Sequence, residues 1–202
     1  MGNLRANQTV LENVRLSYVH LTKPYANQPG QEEKYSVTIL LKKSDTKQKA
    51  KLDAVIANAT AQGKEKRWNG VVPPVVPVPV HDGDGVRQDG NSFGPECKGC
   101  WVMTASCKAE QKPQVVDGNL NLILDGSQIY SGMYANVMIT AYPYAFAGKK
   151  GIGFGLGPVQ KTGDGDSLGG SAPTAADVFG VIGGVDQAAQ KPKINPLTGE
   201  PM

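Results

Sequence analysis

The chain offers little material for acid–base chemistry: it has 2 His and 3 Cys in 202 residues. No nucleophile–base pair and no paired carboxylates emerge along it, so neither an enzyme nor a cofactor is expected. No apolar run approaches the roughly 18 residues needed to span a bilayer, and the first residues lack a charged-then-apolar signal pattern. Met1-Gly2 would open a myristoylation signal, but Ala6 stands where a Ser or Thr is required. An odd cysteine count agrees with a reducing compartment. Together these absences predict a soluble cytoplasmic protein with no membrane partner.

What is abundant points to β structure. There are 25 Gly and 14 Pro, high for a helical protein and ordinary for a β-rich one with many turns. The charge is divided. Residues 1–161 carry 19 Lys/Arg against 13 Asp/Glu, and residues 162–202 carry 2 against 5. A basic body joined to a mildly acidic tail suits a nucleic-acid binder, because positive potential attracts phosphate and a negative tail can compete for the same surface.

Alternation predicts strands over Val14–Leu21 (Val14, Leu16 and Tyr18 on one face) and Tyr35–Lys42. Ser44 or Asp45 caps a helix with Gln48 placed to complete a capping box. The helix buries Leu52, Val55, Ile56 and Ala59, and Gly63 is read as its C-terminal cap. The prolines of Val71–Val80 rule out a central strand and favour an extended, surface-hugging segment. His81–Gly94 is a Gly/Asp loop, and Trp101–Lys108 is a strand. Val115 and Leu120–Leu124 form short strands around Asp117-Gly118, and Met133–Phe146 with Ile152–Lys161 makes a final hairpin. From Thr162 the chain reads as a mostly disordered Gly-rich tail, with one helical turn or more over Ala175–Val181.

The hairpin carries the most information. On its first strand Ala135, Val137, Ile139, Ala141, Pro143 and Ala145 alternate with Tyr142, Tyr144 and Phe146 on the other face. On its second, Ile152, Phe154 and Leu156 alternate with Gly151, Gly153, Gly155 and Gly157. A five-residue loop would set Tyr144 against Phe154. A four-residue loop, Ala147–Lys150, sets Tyr144 and Tyr142 against Gly153 and Gly155 and is preferred, since small then faces large in the core. Tyr142, Tyr144 and Phe146 would then stand in solvent beside bare backbone, with Lys149 and Lys150 at the tip. Such rings stack on bases while lysines hold phosphates. The competing reading closes a second small core over them. Pro143 lacks an amide donor, so its strand is an edge there or projects beyond the barrel.

Lys66, Arg67 and Trp68 read either as a strand-gripping segment or as a helix end whose Trp packs back on the body. Trp101 shares a face with Met103, Ala105 and Cys107 and reads as core. Cys97, Cys100, Cys107 and His81 lack the second close pair that would signal zinc. Asp82, Asp84 and Asp89 miss the calcium-loop spacing. The alternate glycines 151–157 are no dinucleotide fingerprint, because no helix follows them.

Many strands with one convincing helix suggest a small barrel, and the OB-fold is the usual one devoted to single-stranded nucleic acid. The succession Gly99-Cys-Trp-Val-Met-Thr-Ala-Ser-Cys-Lys108, Pro113-Gln-Val-Val-Asp117, Ser131-Gly132-Met-Tyr, Tyr142-Pro-Tyr144, Lys150-Gly-Ile152 and Leu168-Gly-Gly170 resembles a phage-encoded family, long classed as a domain of unknown function. Its characterised members are single-stranded-DNA-binding proteins with an OB-fold, and the resemblance spans about residues 10–170. It implies an OB-fold-like domain over 1–161 that coats single strands in phage DNA replication or recombination, in the host cytoplasm. It also implies an acidic tail over 162–202 that meets phage replication proteins. The ending Leu197-Thr-Gly-Glu-Pro-Met202 departs from the acidic run closed by an aromatic residue in better-known proteins of this type. The alternative is a phage structural or assembly protein with a β-domain.

Overall fold

The computed structural model describes residues 4–87 and 89–169. Expectations for residues 170–202, including the helical turn and the disordered tail, lie outside the described residues.

β1 (Gln8–Tyr25) is longer than alternation indicates and is interrupted three times, after Leu11, Ser17 and His20. Asn13 (φ 48) and Tyr18 (φ 46) adopt left-handed backbone conformations at the first two. Tyr18 therefore points to solvent rather than sharing the inner face with Val14 and Leu16. β2 (Lys34–Lys42) buries Tyr35, Val37, Ile39 and Leu41 on its inner face, and Leu40 is buried on the outer one.

The helix α1 (Thr46–Lys66) begins where Asp45 accepts from the Gln48 N–H at 3.1 Å. Gln48 does not close the capping box. Its amide instead donates to the carbonyl of Glu12 and accepts from the Glu12 N–H, tying the helix start to the first bulge of β1. Gly63 lies inside the helix, not at its cap. A Cβ there would stand 2.7 Å from the Trp68 ring, so glycine is what lets the indole seat.

β3 (Val80–Asp82), β4 (Cys100–Lys108), β5 (Val115–Val116), β6 (Tyr134–Phe146) and β7 (Lys149–Gly163) complete the sheet. Leu120–Leu124 is not a strand beyond a single bridge from Leu122 to Val116, since Asp117 gathers the N–H groups of Asn119 and Asn121 into a turn. β1 pairs with β2 and β6, β2 with β4, and β6 with β7. A parallel bridge from Ser106 to Gly155 joins β4 to β7 and closes a five-stranded barrel. That cyclic order, β1-β2-β4-β7-β6, is the OB-fold arrangement. The core inside it includes Leu11, Leu16, Val37, Ile39, Met103, Val137, Ile139 and Phe154, and Leu52, Val55 and Ala59 of α1 pack onto it.

The domain boundary expected after Lys161 falls inside β7. Beyond it, Asp164 and Gly165 are held by the Tyr130 hydroxyl, and the Leu168 N–H donates to Ser131 at 2.8 Å. Leu168 then packs on a satellite cluster of Leu40, Cys97, Cys100 and Val102 on the outer face of β2 and β4.

Candidate nucleic-acid interface

Past Ala141, which Asn7 still holds through both its N–H and its carbonyl, the β6–β7 hairpin leaves β1 behind and projects as an arm. Pro143 sits on this projecting part, where its missing N–H costs no ladder bond. The turn is Ala147-Gly148 alone, with φ of 49 and 78. These are the left-handed values a two-residue type I′ turn requires.

Neither register expected from sequence is the observed one. Tyr144 lies opposite Gly151 and Tyr142 opposite Gly153. The preferred register was displaced by two residues, and a two-residue slip restores the same faces. The tyrosines therefore still stand over glycines. A Cβ at Gly153 would meet the Tyr142 ring at 2.7 Å, and one at Gly151 the Tyr144 hydroxyl at 2.6 Å. Tyr142 is exposed, Tyr144 half-buried, and Phe146 at the tip is 81% exposed. Lys149 is exposed beside it. Lys150 is half-buried and donates to the Trp68 carbonyl at 3.3 Å. Pro143 is half-buried and Ala145 exposed, so the small-residue face leaves the core after Ala141.

Trp68 does not present its ring to a ligand. It is fully buried, and its indole N–H donates to the Tyr144 carbonyl at 2.9 Å. Packing against Gly63 and the core, rather than strand gripping, explains it. Lys66 and Arg67 beside it are exposed, and the Trp68 bonds hold their segment against the root of the arm.

The two tyrosines face a groove of about 370 Å³ whose other walls are Pro77–Pro79, His81, Thr104 and Ser106. The proline segment does lie along the surface: the Ile152 N–H donates to the Pro77 carbonyl at 2.9 Å. The groove meets a second hollow, sharing His81 and Thr104, that adds Tyr18, Thr38, Arg87 and Phe93. Its floor is the outer face of β2 and β4, where Ser36 pairs with Ser106 and Thr38 with Thr104. Small hydroxyl side chains there leave room for a base, and Tyr18 and Phe93 add rings at the rim. OB barrels take oligonucleotides on this strand face and on the loop that corresponds to the arm's tip. Sequence reading missed these residues. The signal was the Ser/Thr alternation opposite the buried residues of both strands.

A family model described as the Enterobacter phage Enc34 ssDNA-binding protein matches residues 7–191. The chain belongs to this family. The chain is similar to the solved structure of the single-stranded DNA-binding protein from bacteriophage Enc34 in complex with ssDNA. The TM-score is 0.68 at 28% identity, covering 82% of this chain and 91% of that one. A second structure of the single-stranded DNA-binding protein from bacteriophage Enc34 gives 0.66 at 27% identity, covering 87% and 92%. Gp2.5, a single-stranded DNA binding protein encoded by bacteriophage T7, shares the fold at TM-score 0.52 and 16% identity, covering 88% and 98%. No curated protein sequence matches the chain significantly.

In this Enc34-family chain the cysteines do not converge. Cys97 and Cys100 stand in the satellite cluster, whereas half-buried Cys107 packs on the main core and donates to Gln111. Burial, then the neighbouring Glu96 carboxylate, pushes the Cys97 thiol up to about 11, and burial raises the other two. Asp82 and Asp84 both hold Lys43, and Asp84 also accepts from the Gly99 N–H at 2.9 Å. Trp101 is half-buried, with Lys43 and Lys49 ammonium groups 5.2 and 5.1 Å from its ring.

Proposed function

We propose that this chain binds single-stranded DNA without sequence preference during phage DNA replication and recombination, in the host cytoplasm, as a non-enzymatic coat. Bases stack on Tyr142, Tyr144 and Phe146, an interaction worth about 1–3 kcal/mol per base and indifferent to base identity. Lys149, Lys150, Lys66 and Arg67 supply the positive charge that holds phosphates around the arm. From the tyrosines the strand runs over Ser106 and Thr104 on the β4 face.

The observation that carries this reading is the pair of rings lying along glycine-bared backbone and opening into a groove of about 370 Å³. Family membership adds the ligand class, since the family description is that of an ssDNA-binding protein. A gel shift of labelled single-stranded DNA with unlabelled single- and double-stranded competitors tests it. Only the single-stranded competitor should displace the label at equal nucleotide concentration. No shift at all would favour the structural or assembly role instead.

A further inference from the structure

A hollow larger than the aromatic groove lies elsewhere on the described residues. It is a basin of about 900 Å³ beyond the satellite cluster, walled by the first bulge of β1, the end of β2 and residues 96–100. Leu40 and Cys100 line the basin, while Cys97 and Val102 of the same cluster line the groove hollow. The buried cluster, covered by Phe93 and Leu168, separates the two.

The charges around the basin are unequal once partners are assigned. Lys43 is taken by Asp82 and Asp84, Glu12 by Lys51 at 3.5 Å, and Asp45 by its capping bonds to Gln48. Arg15, Lys42 and Lys98 are in no ion pair among the described residues, and Glu96 is the one lining acid left over. Arg15 donates one Nη to the Asp166 carbonyl at 3.0 Å, but its Nε–H is buried with no acceptor. A buried donor left in that state is costly unless something accepts from it. At the basin wall, burial and then the Asp84 carboxylate push the Cys100 thiol up, while Lys42 most, then Arg15 and Lys43, pull it back.

We propose that this basin is a second, phosphate-holding subsite for the same DNA strand, reached after the strand passes the Phe93 and Leu168 side chains that cover the cluster. The inference rests on the single-stranded-DNA reading above. Arg15 offers the Nη donors left over from its bond to Asp166, and Lys42 and Lys98 offer flexible point charges. The spacing fits a strand bound along β2. Ser36 and Lys42 lie six residues apart, about 20 Å at 3.3 Å per residue, and the tyrosines lie beyond the Ser36 partner Ser106. The chain's own tail is the rival occupant, but residues 170–202 carry three acids (Asp177, Asp186, Glu200) against two lysines, a poor match for a cationic basin beside polyanionic DNA.

The test compares oligothymidines of about 4 and about 16 nucleotides, the two ends of the site-size range of one OB barrel. Lys42→Gln/Lys98→Gln is set beside Lys23→Gln/Lys112→Gln, which makes the same charge change around a different hollow. The basin variant should bind the long oligomer several-fold more weakly, with a salt slope reduced by about 1.4 for two lost phosphate contacts. The short oligomer, held at the arm, should bind as to wild type. Equal loss on both lengths, or a loss no greater than the control's, overturns the subsite. Tighter binding by the basin variant would give the basin to the tail and also overturns it. Tyr142→Ala/Tyr144→Ala, run alongside, should weaken both lengths. If it weakens neither, the aromatic platform fails on its own account, whatever the basin variant does.

Discussion

The indole N–H of Trp68 reaches the Tyr144 carbonyl at 2.9 Å, so a residue just past the helix end fixes the strand that carries the exposed rings. Gly63 makes this possible by leaving the space the indole fills. The helix, the buried ring and the arm are one mechanical unit, which gives an otherwise free hairpin a rigid root. Trp68→Phe should keep most of the packing but orphan that carbonyl, costing about 1–3 kcal/mol. Gly63→Ala should cost a similar amount by overpacking. Urea denaturation of both variants measures this, and stability equal to wild type in both would refute the linkage.

The glycines of β7 make graded predictions. Gly153→Ala should push the Tyr142 ring outward, weakening DNA binding with little loss of stability, because a ring end can tilt away. Gly151→Ala should lose stability as well, since its Cβ would also approach the Pro77 carbonyl at 2.9 Å, and backbone does not yield cheaply. Gly155→Ala meets only ordinary contacts from 3.6 Å and should be silent in both assays. Melting temperatures and DNA titrations of the three variants check the order.

Much of the fold is legible in the sequence. Asp45 and Gln48, followed by Leu52, Val55 and Ala59, announced the helix. Alternation in β2, β4 and the hairpin announced both faces of the barrel wall. The hairpin register was not legible, because Ala147-Gly148 lacks the Asn-Gly or Asp-Gly that usually marks a type I′ turn. Lys149 and Lys150, polar and so read as loop, pair in the ladder with Phe146 and Ala145. Tyr18 was misplaced because a left-handed residue breaks the period that reading relied on. The place of Trp68 depends on a contact with Tyr144, a residue 76 positions away. No local pattern encodes that. The basin was invisible for the same reason, being assembled from a bulge, a strand end and a distant loop.

The β3 loop should respond to acid. Hydrogen bonds from Lys43, then from the backbone N–H groups of Asp84 and Gly99, hold Asp82 and Asp84 below their ordinary value of 3.8. Carboxylates depressed in the native state add stability that is whole above that value and is lost as pH falls through the lower native one. Lys43→Gln should therefore melt slightly below wild type at about pH 6, and the gap should close towards about pH 2. A gap that persists unchanged in acid would contradict the assignment.

The thiols should be slow to react. With Cys97 pushed up to about 11 and the other two also raised by burial, almost no thiolate exists at neutral pH. A thiol reagent should label the native protein far more slowly than the urea-unfolded chain. Rapid native labelling of Cys97 would show that the satellite cluster opens readily.

The arm's role is best tested by Tyr142→Ala/Tyr144→Ala, titrated with single-stranded DNA while the melting curve is recorded on the same sample. The expected result is an unchanged fold with binding weakened by about 2–6 kcal/mol, the sum for two stacked bases. A folded double variant that binds as tightly as wild type would contradict the account.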